Sequence, residues 1–315
     1  MNAGLMRRAV AATVAATALA TLSACGAATD PAPSTNAKDA VAGPHIAEDA
    51  KLHDALPAAI KASGTVRVAA DVPYPPFAMF VTEGSSELTG LDYDLGQALG
   101  AKLGVKVVFT PQRFNGILPA LQAGKFDAAM SAITDSRERQ KVVDFVDYSR
   151  SGSGIMVADG NPARIATLED LCGKKVGVQA ATNQLRLLNA QQAACTAKGR
   201  RHIEIQTFPK DSDAQLALRS GNVVADVITK PVAGWTAKTA DGGKAFDLVE
   251  DAKAPGGYHA SPNGIAVSKK SPQLTAAIQK ALQALIDEGA LTKICDKYGV
   301  ASIAVKEATK NAAVD

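Results

Sequence analysis

Ala120-Leu121-Gln122-Ala123-Gly124-Lys125-Phe126-Asp127 is echoed 97 residues later by Ala217-Leu218-Arg219-Ser220-Gly221-Asn222-Val223-Val224. In each copy an Ala-Leu helix end runs into glycine, which tolerates the left-handed turn that closes a helix, and a short apolar stretch follows. A helix–glycine–strand unit that occurs twice, about one domain length apart, predicts two α/β lobes of similar plan rather than one continuous sheet.

Working outward from the first copy, Thr65-Val66-Arg67-Val68-Ala69-Ala70 reads as a buried strand that ends at the turn-rich Asp71-Val72-Pro73-Tyr74-Pro75-Pro76-Phe77. Leu95, Leu99 and Leu103 recur every four residues, Asp92 and Asp94 fall in the first turn, and Gly104 follows the last repeat, which predicts a capped helix. Val105 to Phe109 reads as a second strand, Ile117 to Ala123 as a short helix, and Phe126 to Ala132 as a third strand. This alternation predicts a mostly parallel sheet. The second series starts at Lys174-Lys175-Val176-Gly177-Val178, with a helix over Ala214 to Arg219 and a strand over Val223 to Ile228. Further on, Ser271 caps and Pro272 starts a helix whose Leu274, Ile278, Leu282, Leu285 and Ile286 share one face, stopped by Gly289.

The 315-residue chain is 47% hydrophobic and 21% charged, with 26 glycines and 15 prolines, which excludes collagen-like, coiled-coil and disulfide-knot classes. Lysine and arginine number 34 against 31 acidic residues, a net +3 that is too small for the clustered positive field of a nucleic-acid partner. Behind Arg7-Arg8, an uncharged run of 14 residues from Ala9 to Leu22 leads to Ser23-Ala24-Cys25. A membrane-spanning helix needs about 20 residues, so residues 1–24 read as a secretory signal. Leu22-Ser23-Ala24-Cys25 resembles a bacterial lipobox, in which Cys25 is acylated and the chain is cut just before it; an ordinary small-residue cleavage site is the alternative. Loss of Arg7 and Arg8 with the signal brings the net charge to +1. Residues 25–51, rich in Ala, Pro, Thr, Ser and Asp, read as a flexible tether to the outer face of the cell membrane, with the folded part starting near Leu52.

Thr134-Asp135-Ser136-Arg137-Glu138-Arg139 offers three candidate N-cap residues ahead of two arginines. Cations at a helix N-terminus oppose the macrodipole unless an anion lies between them and the free N–H groups, and arginine's planar fork suits a carboxylate. The alternative is a surface pair of arginines neutralised by Glu138 and Asp135. Tyr74 and Phe114 each follow a predicted strand, where open α/β sheets bind ligands, and serve either to stack on a ligand or to close the core. His45, His53, His202 and His259 are scattered, and no H-E-x-x-H, G-x-S-x-G or P-loop occurs, so no metal, cofactor or catalytic residue is expected. Cys172 and Cys195 lack C-x-x-C spacing, and in an exported protein they favour a disulfide; Cys295 is left as a buried free thiol.

From about Gly64 to Val300 the chain resembles the family 3 extracellular solute-binding proteins of ABC importers, the polar amino acid group. The resemblance is carried by Tyr74-Pro75-Pro76-Phe77, by Leu88-Thr89-Gly90-Leu91-Asp92-Tyr93-Asp94-Leu95, by Ile117 to Asp127, by Ser136-Arg137-Glu138-Arg139 running to Val143-Asp144-Phe145, by Leu168-Glu169-Asp170-Leu171 with Gly173 to Gln179, and by Asn263-Gly264-Ile265-Ala266-Val267. It implies a two-lobed periplasmic-binding-protein-like α/β fold with two hinge strands: lobe 1 at 52–150 plus 258–300, lobe 2 at 151–257, and a C-terminal tail at 301–315. It also implies a monomer that captures a small carboxylate ligand, most readily an amino acid, and delivers it to an ABC permease. Arg139 matches the arginine that holds the ligand's α-carboxylate, aided by Ser131, Ala132 and Thr134. Tyr74 and Phe114 match flanking aromatics, Asp71 stands where it can meet an ammonium or side chain, and Gln179, Thr182 and Asn183 match a loop that closes over the carboxylate.

One departure stands out. Where the family commonly places an aspartate for the α-ammonium, this chain has Thr229 in Thr229-Lys230-Pro231-Val232-Ala233. Asp226, three positions away on a strand, points to the opposite face and is no substitute. Either Asp71 supplies the charge or the ligand is not an ordinary α-amino acid. Two other functions compete: a dehydratase-like enzyme on the same fold, for which no general acid or base is evident, and a sensor ectodomain, disfavoured because no membrane-spanning run follows Val300.

Overall fold

The computed structural model of the chain describes residues 46–314. The signal, the lipobox and Cys25 lie outside these residues. Helix α1 (Ala50–Asp54) is N-capped by Asp49, whose side chain accepts from the N–H groups of Lys51 and Leu52. The Asp49 N–H donates to Lys102 O at 2.9 Å and Ile46 packs on the core, so folded structure starts ahead of Leu52, inside the stretch read as tether.

The first half then runs α2 (Ala58–Ser63), β1 (Thr65–Ala70), a two-stranded ribbon of β2 (Met79–Phe80) and β3 (Leu88–Thr89), α3 (Leu91–Leu103), β4 (Lys106–Pro111), α4 (Phe114–Gln122), β5 (Ala128–Ala129) and α5 (Arg137–Gln140). Leu91, Leu95, Leu99 and Leu103 of α3 are buried, and Gly104 ends it at φ 66°, a conformation in which a Cβ would clash with its own backbone. The strand expected over Phe126 to Ala132 shrinks to Ala128–Ala129 because the chain turns at Ala132, whose φ is 44°. Strand β6 (Val143–Ala158) is 16 residues long, far beyond an ordinary strand, and carries the chain into the second half. There follow β7 (Lys175–Gln179), α6 (Asn183–Ala197), β8 (Glu204–Phe208), α7 (Asp211–Arg219), β9 (Ala225–Thr229), α8 (Lys230–Thr239) and β10 (Phe246–Leu248). Strand β11 (Tyr258–Ser268) returns to the first half, where α9 (Pro272–Asp287) and α10 (Ala290–Lys297) pack. Ser271 takes the N-cap position of α9, but its side chain makes no capping hydrogen bond, contrary to the sequence reading.

The strand order is β4-β1-β5-β11-β6-β9-β7-β8, with β10 also on β6. Strands β4, β1 and β5 are mutually parallel, as are β9, β7 and β8. Between the two blocks, β11 and β6 run antiparallel to each other and to their outer neighbours. The expected mostly parallel sheet is thus correct for each lobe and wrong at the middle, where the hinge strands run through both lobes and make one hydrogen-bonded ladder. A Cβ on Gly152 would lie 2.3 Å from the Gly257 carbonyl carbon, so glycine is what lets the two connections touch at the crossing.

Cys172 and Cys195 are joined, with Cα atoms 5.7 Å apart, fastening the segment before β7 to α6. Cys295 is buried and free, and burial, aided by the charge of Asp92, pushes its thiol up to about 12. The C-terminal segment is folded rather than trailing. Ile303 and Ala308 are buried, Ala304 and Lys310 bridge to Ser149 and Val146, and Thr309 Oγ1 donates to Asp147 at 2.9 Å.

Candidate functional site

The turn that cut β5 short forms one wall of a narrow cavity between the lobes. Its shape is held from behind by Asp92, on the first turn of α3. The Ala132 N–H donates to Asp92 Oδ2 at 2.9 Å and the Tyr148 hydroxyl to Asp92 Oδ1 at 2.5 Å. Burial pushes this carboxyl up to about 7 against those two bonds. Ser131, beside Ala132, accepts from the Asp71 N–H at 3.0 Å and so ties the turn to the end of β1.

Four residues past Ala132, Ser136 proves to be the N-cap among the three candidates, its Oγ accepting from the Arg139 N–H. Arg139 is 8% exposed. It donates through Nη1 to Thr134 O at 2.8 Å and through Nη2 across the cleft to Ala181 O at 3.0 Å, with its guanidinium carbon 5.5 Å from the centre of the Phe114 ring. Phe114 is the first residue of α4, not part of a loop. The facing wall comes from the second lobe. Thr182, read as a loop residue, N-caps α6: its Oγ1 accepts from the Leu185 N–H at 3.2 Å and donates to Gln179 O at 2.7 Å. Asn183 opens the helix and its Oδ1 accepts from Arg186.

At the inner end, two further contacts cross the cleft. Gln179 Nε2 donates to Asp71 Oδ2 at 2.6 Å, and the hydroxyls of Tyr74 and Thr229 lie 2.8 Å apart. Burial raises the Asp71 carboxyl, outweighing the opposing pull of Gln179, Lys210, the Phe114 N–H and Arg113. Burial, with the nearby charge of Asp211, also raises the Tyr74 phenol. All eleven residues singled out from the sequence, Asp71, Tyr74, Phe114, Ser131, Ala132, Thr134, Arg139, Gln179, Thr182, Asn183 and Thr229, line this one cavity. Gln184 completes the lining and donates to Thr229 Oγ1 at 3.2 Å. Its only signal in the sequence was adjacency to Thr182 and Asn183.

Asp211, first residue of α7, was also missed. It is buried, accepts from Gln215 Nε2 at 2.6 Å, and is raised by burial and by the charge of Asp71. Asp226 lies opposite Gly177 of β7, whose Cβ position looks onto Ala214 of α7. It shares that face of β9 with Ile228, whereas Thr229 looks the other way, onto Gln184 of α6. Asp226 therefore sits on the face of β9 opposite to Thr229, as the strand period requires, and does not replace it.

A family model described as "Bacterial extracellular solute-binding proteins, family 3" matches residues 66–301. The arginine-binding protein ArgT of Corynebacterium glutamicum is 32% identical over 260 residues, covering 81% of each chain. Among solved structures, an ancestral arginine-binding protein bound to arginine is 36% identical, with a TM-score of 0.65 over 75% of this chain and 98% of that one. An ancestral amino acid-binding protein, described as a precursor of cyclohexadienyl dehydratase, is 33% identical with a TM-score of 0.64 over 76% of this chain and 97% of that one. The two-lobed architecture, the hinge strands and these likenesses over three quarters of the sequence agree: the chain belongs to the bacterial extracellular solute-binding proteins, family 3.

Proposed function

We propose that the protein captures an amino acid with a positively charged side chain between its lobes and hands it to an ABC permease. The observation that carries this reading is the charge pattern of the cleft, whose lining combines the buried cation Arg139 with the buried carboxyl of Asp71. Arg139 grips the ligand's α-carboxylate, Thr182 and Asn183 close over it from the second lobe, Phe114 and Tyr74 flank the side chain, and Asp71 receives its cation. Hydrogen bonds to charged groups contribute about 1.5–3 kcal/mol each, so a clamp at both ends supports micromolar binding, about −8 kcal/mol. Arginine-binding relatives support the same ligand class. Thr229, lacking a charge, leaves the α-ammonium to neutral acceptors, and the side-chain cation at Asp71 then carries the charge recognition.

Lobe 1 is taken as 52–150 plus 258–300, and lobe 2 as 151–257, with both divisions falling on or beside the hinge strands β6 and β11. A monomer tethered to the outer face of the membrane through acylated Cys25 fits the lipobox-like Leu22 to Cys25. Isothermal titration against arginine, lysine, glutamine and glutamate tests the ligand reading. It predicts heat and saturation with the two cations first, and preferential binding of glutamate would overturn it. Metabolic labelling with a palmitate analogue tests the anchor, and an unlabelled mature protein would remove it.

A further inference from the structure

Three buried aspartates line up behind the cleft: Asp71, at the end of β1, acts on Asp211 at the start of α7, and Asp211 acts on Asp226, which lies on β9 opposite Gly177, the residue that faces Ala214 of α7. Their exposures are 5%, 4% and 0%. The compensating groups are few. Asp71 has the Gln179 amide, the Phe114 N–H and the charges of Lys210 and Arg113, and Asp211 has the Gln215 amide. Neither carboxylate oxygen of Asp226 has a hydrogen-bond partner, and Asp211 is the one charged group acting on it. Tyr74, packed against the same end, feels both Asp211 and Asp226 and is itself neutral. Among the described residues, no three acidic, histidine or cysteine side chains converge closely enough to hold a metal ion.

Three like charges in a low-dielectric site cannot all be ionised, and an unpartnered buried carboxylate is the costliest of them. We propose that the inner end of the closed cleft must hold one positive charge, and that the ligand's cationic side chain and a proton shared by Asp71, Asp211 and Asp226 are alternative ways of supplying it. When a cation arrives beside Asp71, a carboxylic O–H of the group breaks and its proton passes to solvent, so the charge at this end is unchanged. When a neutral side chain of the same shape occupies the cleft, the proton stays. Asp211 and Asp226 act here through Asp71, as positioning residues for charge rather than as ligand contacts. The inference rests on the reading that the ligand is a cationic amino acid.

The consequence is a charge selectivity that depends on pH. The cation complex holds one proton fewer than the neutral complex, so the preference for the cation grows as pH rises, by up to about tenfold per unit for one proton. The test is isothermal titration with arginine and with citrulline, its neutral isostere, from pH 5.5 to 8.5. Comparing two closed complexes cancels the ligand-free state and the contacts to Arg139. The ratio of the two affinities is expected to climb with pH, approaching tenfold per unit, and to climb less steeply in Asp226→Asn, or in Asp211→Asn where the first variant does not fold. A ratio that stays constant while arginine binds tightly would overturn this inference alone. Citrulline failing to bind at any pH would also overturn it, because the proton would then not stand in for the cation. Arginine failing to bind at every pH would sink the ligand reading and this inference with it.

Discussion

Arg139 is the residue on which the ligand reading turns. It is buried at the cleft wall, seated over Phe114, and reaches both lobes through Thr134 O and Ala181 O. Replacing it with alanine removes a bidentate carboxylate grip worth roughly 3 kcal/mol, so Arg139→Ala should weaken ligand binding about 100-fold by isothermal titration while leaving the fold intact. Unchanged affinity would remove Arg139 from the site. Asp92 plays a different part, since it accepts from both the Tyr148 hydroxyl and the Ala132 N–H. Asparagine has one carbonyl oxygen to offer, so Asp92→Asn leaves one buried donor facing an amide N–H. The expected cost is about 1–3 kcal/mol, read as a thermal midpoint several degrees lower. A midpoint at or above the wild-type value would contradict the role given to Asp92.

At the scale of elements, the helices that end in glycine were legible, because Gly104, Gly124 and Gly289 mark turns that a Cβ disfavours. The cleft residues could be named because they match the motifs of the family; residue chemistry alone left Arg139, Tyr74 and Phe114 open between ligand contact and structural roles. What could not be read was the shortness of β5, since the turn at Ala132 is imposed by Asp92, 40 residues away. The start of α6 was missed because Thr182 looks like a loop residue until its hydroxyl is seen capping Leu185. The approach of Asp211 to Asp71 belongs to neither segment alone. Two element-scale predictions follow from the packing. Gly152→Val places a branched side chain into the Gly257 backbone, where even a Cβ would lie at 2.3 Å, so the variant should lose ligand-induced closure by small-angle scattering; normal closure would show that the crossing has room to spare. The C-terminal segment is fastened by Asp144. Burial there opposes ionisation, but hydrogen bonds from Asn311, Lys269 and Lys310 outweigh it and hold the carboxyl at about 2. A lowered folded-state value contributes stability above the ordinary carboxylate range and loses it as pH falls through 2. Hydrogen exchange of residues 304–312 should therefore quicken between pH 4 and 2, after correction for intrinsic rates, relative to the β1 amides; equal protection throughout would contradict this.

Over the whole molecule, two parallel-sheet lobes meet across the cleft through Arg139 to Ala181, Asp71 to Gln179, Tyr74 to Thr229 and the ion pair of Arg186 with Glu138. A ligand shifts the molecule toward closure by as much as its affinities for the open and closed states differ. In the proposed reading the carboxylate grip belongs chiefly to the first lobe and the groups that cover it to the second, and the difference comes from that division. The most direct test is a crystal structure of the protein grown with arginine. The expected result is a closed cleft with the ligand's carboxylate on the Arg139 guanidinium and its side-chain guanidinium against Asp71. Arginine bound elsewhere, or in the reverse orientation with its side chain at Arg139, would contradict it.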